Sequence, residues 1–280
     1  MVIGLWYLNL FLLKDHIAKG AINDRGTFGD MFGAANALFS GLAFAGIIWT
    51  ILLQRNELRL QREESQSSRD EAIEQNKTLK LQRFENTFFN MLNLQNEIVK
   101  NLKFKQLEGR QVIDEAQKML FSYINWENYQ KAHNTTSKPP ENETLYNVPV
   151  TSSNARTILD ATYHVKFYNN FSSNFNHYHR HLYHIFKFIY FSGLALSEKN
   201  FYASLTRAQL SQGELYLIAF NILIEDYGKP NFLYLVREYD VLQNFDWTDI
   251  KPIVFKTLIE FELENVSYPF KLEQTSERNF

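Results

Sequence analysis

The stretch from Met31 to Leu53, MFGAANALFSGLAFAGIIWTILL, carries no charged side chain over its whole length. About 20 consecutive apolar helical residues suffice to cross the hydrocarbon core of a bilayer. A buried core helix of this length would show a polar stripe on its outer face. Only Asn36, Ser40 and Thr50 interrupt this one, so hydropathy predicts a membrane span. Gly33, Ala37, Gly41 and Ala45 recur at every fourth position and form a ridge of small side chains. Such a ridge lets a second helix approach closely enough for dense van der Waals contact, so helix packing in the membrane and a homo-oligomer are expected.

Val2 to Leu13 is also apolar, but at about 1.5 Å per residue it reaches only about 20 Å, short of a full crossing. It lacks a basic leader and a small-residue cleavage site, so it does not read as a signal peptide. A truncated or marginal second span fits it, which would complete a two-helix hairpin. Arg55, Arg59, Arg62 and Arg69 follow the main span, against Lys14, Lys19 and Arg25 before it. That slight basic excess sets the C-terminal side in the cytoplasm. The chain has no cysteine, which agrees with a cytoplasmic domain and removes disulfides, thiolate metal sites and a cysteine nucleophile together.

Asn56 to Lys77 is polar, mixes both charge signs and contains neither Gly nor Pro, as suits an exposed helical stalk. Beyond it, Leu81, Phe84, Phe88, Met91, Ile98 and Leu102 fall at helical spacing, with Gln95 the polar residue on the seam. Phe167, Phe171, Phe175, Tyr178, Leu182, Ile185 and Ile189 form a second stripe of the same period. With 24 Phe and 15 Tyr against 11 Gly and 6 Pro, the domain is expected to be all-α and packed through aromatic rings. Ser211 to Glu214 reads as a capping box opening the apolar run Leu215 to Ile224, which Gly228 and Pro230 should end. Pro139 and Pro140 forbid a helix through the polar segment 131–156, which is expected to be a surface loop with room for a short strand. The organisation expected is an anchor over 1–54, a stalk over 55–80, a helical cytoplasmic domain over 81–264 and a polar tail over 265–280.

Several blocks taken together resemble the AbiC-type phage abortive infection family: GTFGDMFGAANALFSGLAFAGIIWTILLQ, LKLQRFENTFFNMLNLQNEIVKNL, RHLYHIFKFI and RAQLSQGEL. They run from about Arg25 to about Phe245 and contain no catalytic signature. The resemblance implies a bacterial protein of the inner membrane that limits phage propagation, with a phage or host protein as trigger. The short apolar segment before the main span departs from the two-span arrangement of such proteins.

The densest group of ionisable side chains is NHYHRHLYHIFKF. His177, His181 and His184 share one helical face, and Arg180, Tyr183 and Lys187 the next. Three readings stay open. The residues edge an aromatic core and are hydrogen-bonded there, with His177, His181 and Lys187 available for binding. Alternatively Arg180 and His184 act as in HEPN-type ribonucleases, His on the 2′-hydroxyl proton and Arg on the phosphate charge, with nucleic acid as partner. Their Arg-x3-His spacing is one residue short for that motif. In the third reading the three His ligate a metal, but no carboxylate completes the set, so neither metal nor cofactor is expected. Arg207, just before the capping box, could meet an anion or pair with Glu214. Phosphate-binding loops, dinucleotide fingerprints, zinc-protease and serine-hydrolase motifs are all absent from the sequence, so catalysis is not the default.

Overall fold

The computed structural model describes residues 11, 25–137, 152–225, 227–250 and 253–270. The chain divides into two compact units, 1–78 and 79–280.

In the first unit, helix α1 (Arg25–Lys100) begins and then runs on into the second. From Phe32 to Leu53 its side chains are apolar on all sides and almost all exposed; Leu42, Phe44 and Trp49 are each more than 60% accessible. This is the one helix among the described residues long and apolar enough to cross a membrane. A Cβ added at Gly33 or Gly41 would meet nothing, so the small-residue ridge lies open along the helix. Thr50 donates its hydroxyl to the Gly46 carbonyl at 2.9 Å, which satisfies it within the helix. Of the short apolar segment 2–13 only Phe11 lies among the described residues.

Among the described residues, the regular structure of the second unit is helical apart from one small hairpin. The end of α1 buries Phe84, Phe88, Leu92, Gln95 and Val99, while Met91 and Ile98 sit at the margin. Strands β1 (Lys103–Phe104) and β2 (Leu107–Glu108) pair antiparallel. Gly109 then turns the chain with φ 62 and ψ −134, a conformation open to glycine and strained for a residue with a Cβ. Helix α2 (Arg110–His133) buries Val112, Ile113, Ala116, Leu120 and Ile124 on one face and ends on Asn134 in the left-handed region. Helix α3 (Ser152–Ala161) leads directly into a π-helical turn, Thr162–Phe167, and that into α4 (Tyr168–Phe191). Helix thus enters both ends of the segment 131–156 expected as loop. Proline forbids helix only near itself, and Lys131 to His133 still continue the α2 pattern. The short strand expected in that loop, like Pro139 and Pro140, lies outside the described residues.

Every member of the predicted stripe from Phe167 to Ile189 is buried, with Phe186 and His179 beside them. Helices α5 (Leu196–Arg207), α6 (Gln212–Asn221), α7 (Asn231–Glu238) and α8 (Val254–Asn265) follow. α2 packs on the π-turn, α3 and α6; α4 packs on α5 and α7; α8 packs on α7 and α3. Stacked and edge-on rings join these layers, with Phe84 against Phe188 at 4.9 Å and Phe88 against Tyr202 at 5.0 Å.

The capping box forms: Ser211 Oγ accepts from the Glu214 amide at 3.3 Å, and Glu214 Oε2 accepts from the Ser211 amide at 2.7 Å. α6 stops at Asn221, three residues before the end of its apolar run. The physical reason is at Gly228, where a Cβ would lie 2.5 Å from the Asn221 carbonyl oxygen and 2.7 Å from Ile222 Cα. The returning backbone crosses the helix end, and since Gly213 to Ile224 is buried on every side, hydropathy alone does not mark the stop.

Candidate functional site: a pocket at the edge of the aromatic core

α4 places consecutive residues on different faces, about 100° apart around the axis. His177 and His184 are exposed. His181 is half-buried and its Nδ1 lies 2.9 Å from Gln95 Oε1, so the polar residue on the α1 seam meets the His face of α4. Burial and the neighbouring His184 hold His181 below the usual imidazole range. Burial, followed by the charges of Lys187 and Arg180, does the same to His184. Lys187 lies among rings, 5.7 Å from Tyr183 and 5.9 Å from both Phe191 and Phe270. Arg207 donates to the carbonyls of Tyr239 at 3.1 Å and Asp240 at 3.0 Å and to Gln243 Oε1 at 2.8 Å. It ties down the end of α7, while Glu214 is approached by Arg110 at 3.9 Å. Among the described residues no group of three His, Asp or Glu is placed to hold a metal ion.

Arg180 stands apart from these because it edges a pocket of about 460 Å³, within the range of about 300–1,000 Å³ typical of small-molecule sites. His164 comes from the π-turn; Tyr168, Asn176, His179 and Tyr183 from α4; Asn221 from the end of α6; and Tyr227 and Phe232 from the crossing segment and α7. Local π-helix widens a turn and is frequent at functional sites, and here it sets His164 beside Tyr227 with ring centres 5.3 Å apart.

His179 lies at the wall of this pocket. It is 8% exposed, and its Nε2 is buried with no hydrogen-bond partner among the described residues. Burial pushes its pKa down to about 3, so the imidazole is neutral at any physiological pH. Tyr168 accepts from Asn176 Nδ2 at 3.0 Å. That bond, a second from Tyr227 and the charge of Arg180 hold the half-buried phenol below its ordinary pKa. Asn221 donates to the buried Tyr163 hydroxyl at 2.9 Å. Arg180 itself forms no ion pair or hydrogen bond with a described residue, and no carboxylate is among the described residues that line the pocket.

Of the candidates read from the sequence, then, the pocket takes Arg180 but not His177, His181, His184, Lys187 or Arg207. His179 escaped that reading because it sits on the apolar stripe, four residues after Phe175. A polar residue occupying a stripe position was the signal available.

These features define a helical protein with an apolar, exposed N-terminal helix and an aromatic-cored domain that carries a polar pocket at the margin of its core. Residues 170–250 match the family model putAbiC, described as "Putative phage abortive infection protein". The resemblance read from the sequence blocks is borne out over that segment, and the family name points to a role in phage abortive infection. The match takes in most of α4, all of α5 to α7, and every pocket residue except His164 and Tyr168. Comparison with curated proteins finds no match, and neither does comparison with solved structures.

Proposed function

We propose that this chain is a membrane-anchored bacterial abortive infection effector that acts through protein interaction. The helix from Phe32 to Leu53 holds the aromatic domain at the cytoplasmic face of the inner membrane, and a phage or host component engages that domain. The observation that carries this reading is a helix apolar on all sides whose window of highest hydropathy has no residue buried in the protein. In water such a surface is strongly disfavoured, whereas lipid solvates it and every backbone amide is already satisfied inside the helix. At about 1.5 Å per residue the stretch rises about 33 Å, enough for a hydrocarbon core of about 30 Å.

Fractionation of cells expressing the full chain tests the anchor. The protein should sediment with membranes, resist carbonate extraction and dissolve in mild detergent. Recovery as a soluble monomer without detergent overturns the proposal. The open ridge at Gly33, Ala37, Gly41 and Ala45 supports self-association of the spans. Gly41→Leu should therefore shift the detergent-solubilised protein to a smaller oligomer and reduce protection in a plaque assay. If size and protection are both retained, the ridge has no such role.

A second reading, a membrane-tethered ribonuclease using Arg180 and His184, is favoured by one observation. Burial first, then the charges of Lys187 and Arg180, hold His184 below the usual imidazole range, so its ring is unprotonated and able to accept a proton with Arg180 close by. It predicts RNA cleavage that His184→Ala abolishes. Intact RNA together with protection retained in that variant removes it.

A further inference from the structure

The pocket beside His179 combines three chemistries that one ligand class needs at once. Aromatic faces come from Tyr168, Tyr227 and Phe232; Tyr168 and Tyr227 meet edge-on at 5.0 Å, with the His164 ring behind Tyr227. Rings in such a corner offer a planar heterocycle a stacking surface. Hydrogen-bonding groups come from the amides of Asn176 and Asn221, and the His179 ring stands in the wall with its Nε2 buried and without a partner among the described residues. Arg180 supplies the charge. Its guanidinium stands at the rim with no carboxylate among the described lining residues and fits the oxygens of a phosphate.

We propose that this pocket binds a nucleotide unit, with the base held among Tyr168, Tyr227 and Phe232 and its phosphate paired with Arg180. The unit is either a free nucleoside monophosphate or one residue of a single-stranded RNA; the recognition chemistry is the same. The inference goes beyond the effector reading and does not rest on the anchor, because every lining residue lies in the unit formed by 79–280. Binding measured in detergent can fail while membrane association stands, and the reverse.

The test titrates the full-length chain in mild detergent, by calorimetry, with the four ribonucleoside 5′-monophosphates, the four nucleosides, inorganic phosphate, and ten-residue oligoadenylate and oligouridylate. At least one monophosphate should bind saturably, and more tightly than its nucleoside or phosphate alone. Arg180→Met, at an exposed position, should weaken it about tenfold and leave nucleoside binding unchanged. Tyr227→Leu should weaken nucleotide and nucleoside alike, and Lys187→Met, outside the pocket, should change neither. An oligomer that binds more tightly than any monophosphate identifies an RNA strand as the source, and the opposite order identifies a free nucleotide. Absence of saturable binding by every nucleotide and oligomer overturns the proposal. So does binding unaltered in Arg180→Met, or inorganic phosphate binding as tightly as the nucleotides.

Discussion

Glu214 is the buried carboxylate on which the entry to α6 depends, and removing it should cost more than any ordinary helix cap. Only 2% of the residue is exposed, and two different donors meet its oxygens. Oε2 accepts the Ser211 amide at 2.7 Å, and Oε1 accepts the Tyr178 hydroxyl at 3.0 Å. Burial, with the Glu214 charge next, raises the Tyr178 pKa far above its usual value, so that hydroxyl is always the donor. Glu214→Ala loses the reciprocal half of the capping box, worth about 1 kcal/mol. It also leaves the hydroxyl of the fully buried Tyr178 without an acceptor, at about 1–3 kcal/mol. Arg110 adds little, because its guanidinium is half in water and 3.9 Å away. The loss expected for Glu214→Ala is therefore about 2–4 kcal/mol.

Two companion variants separate the terms. Tyr178→Phe removes the donor and its desolvation together and should cost about 1 kcal/mol. In Tyr178→Phe/Glu214→Ala no orphaned hydroxyl remains, so the double variant should lose about 1–2 kcal/mol less than the two single losses added together. Urea unfolding of the full-length protein in mild detergent, followed through Trp126 and Trp247, gives the four stabilities. Additive losses would refute the argument, because they would mean that the hydroxyl and the carboxylate do not depend on one another.

Three further outcomes follow from the same packing. Gly228→Ala sets a methyl 2.5 Å from the Asn221 carbonyl, a backbone atom that cannot swing aside; it should destabilise by about 3 kcal/mol or more in the same urea assay, and Gly228→Ala stability within 0.5 kcal/mol of the parent contradicts the crossing described at the end of α6. His179 is neutral when folded but binds a proton below about pH 6.5 when unfolded, so stability should fall as pH drops from 6.5 toward 3, by up to about 1.4 kcal/mol per unit. His179→Leu should flatten that slope between pH 6.5 and 5, above the range where carboxylates titrate, and an unchanged slope would show that His179 is not shielded from solvent. Arg207→Ala leaves the Tyr239 and Asp240 carbonyls and Gln243 without their donor and should cost about 1–2 kcal/mol, with faster amide exchange at the end of α7 as the local signature.

How far the fold could be read in advance depended on whether one segment carries its own explanation. The stripe from Phe167 to Ile189 is buried throughout, and Phe84, Phe88 and Leu102 of the earlier seam are buried while its Leu81, Met91 and Ile98 lie at the margin, because a helix facing one core shows its period in its own residues. Ser211 and Glu214 likewise hold their own recognition, since a capping box closes within four residues. The end of α6 was beyond that kind of reading. What stops it is Gly228 lying across Asn221, a contact between segments that nothing inside either one announces. The π-turn was equally hidden, because Thr162 to Phe167 has no residue that forbids an ordinary helix.

The pocket and the candidates grouped from the sequence lie on one segment but on different faces of it. NHYHRHLYHIFKF drew attention through its abundance of imidazoles, and grouping His177, His181 and His184 by period selected the side turned toward Gln95 and solvent. What distinguishes a site from a solvated face is a polar group at a place where water does not reach it, and position 179 is such a place: it follows Phe175 by one turn and precedes Phe186 by two, inside the buried stripe. One residue later the chain has turned about 100°, enough to carry Arg180 into the open. A buried imidazole and an exposed guanidinium on adjacent residues therefore bracket the edge of the core, and any cavity at that edge is bounded by both. Asn221, Tyr227 and Phe232 close it from 41 to 52 residues further along the chain, which only the crossing at Gly228 brings to the same place.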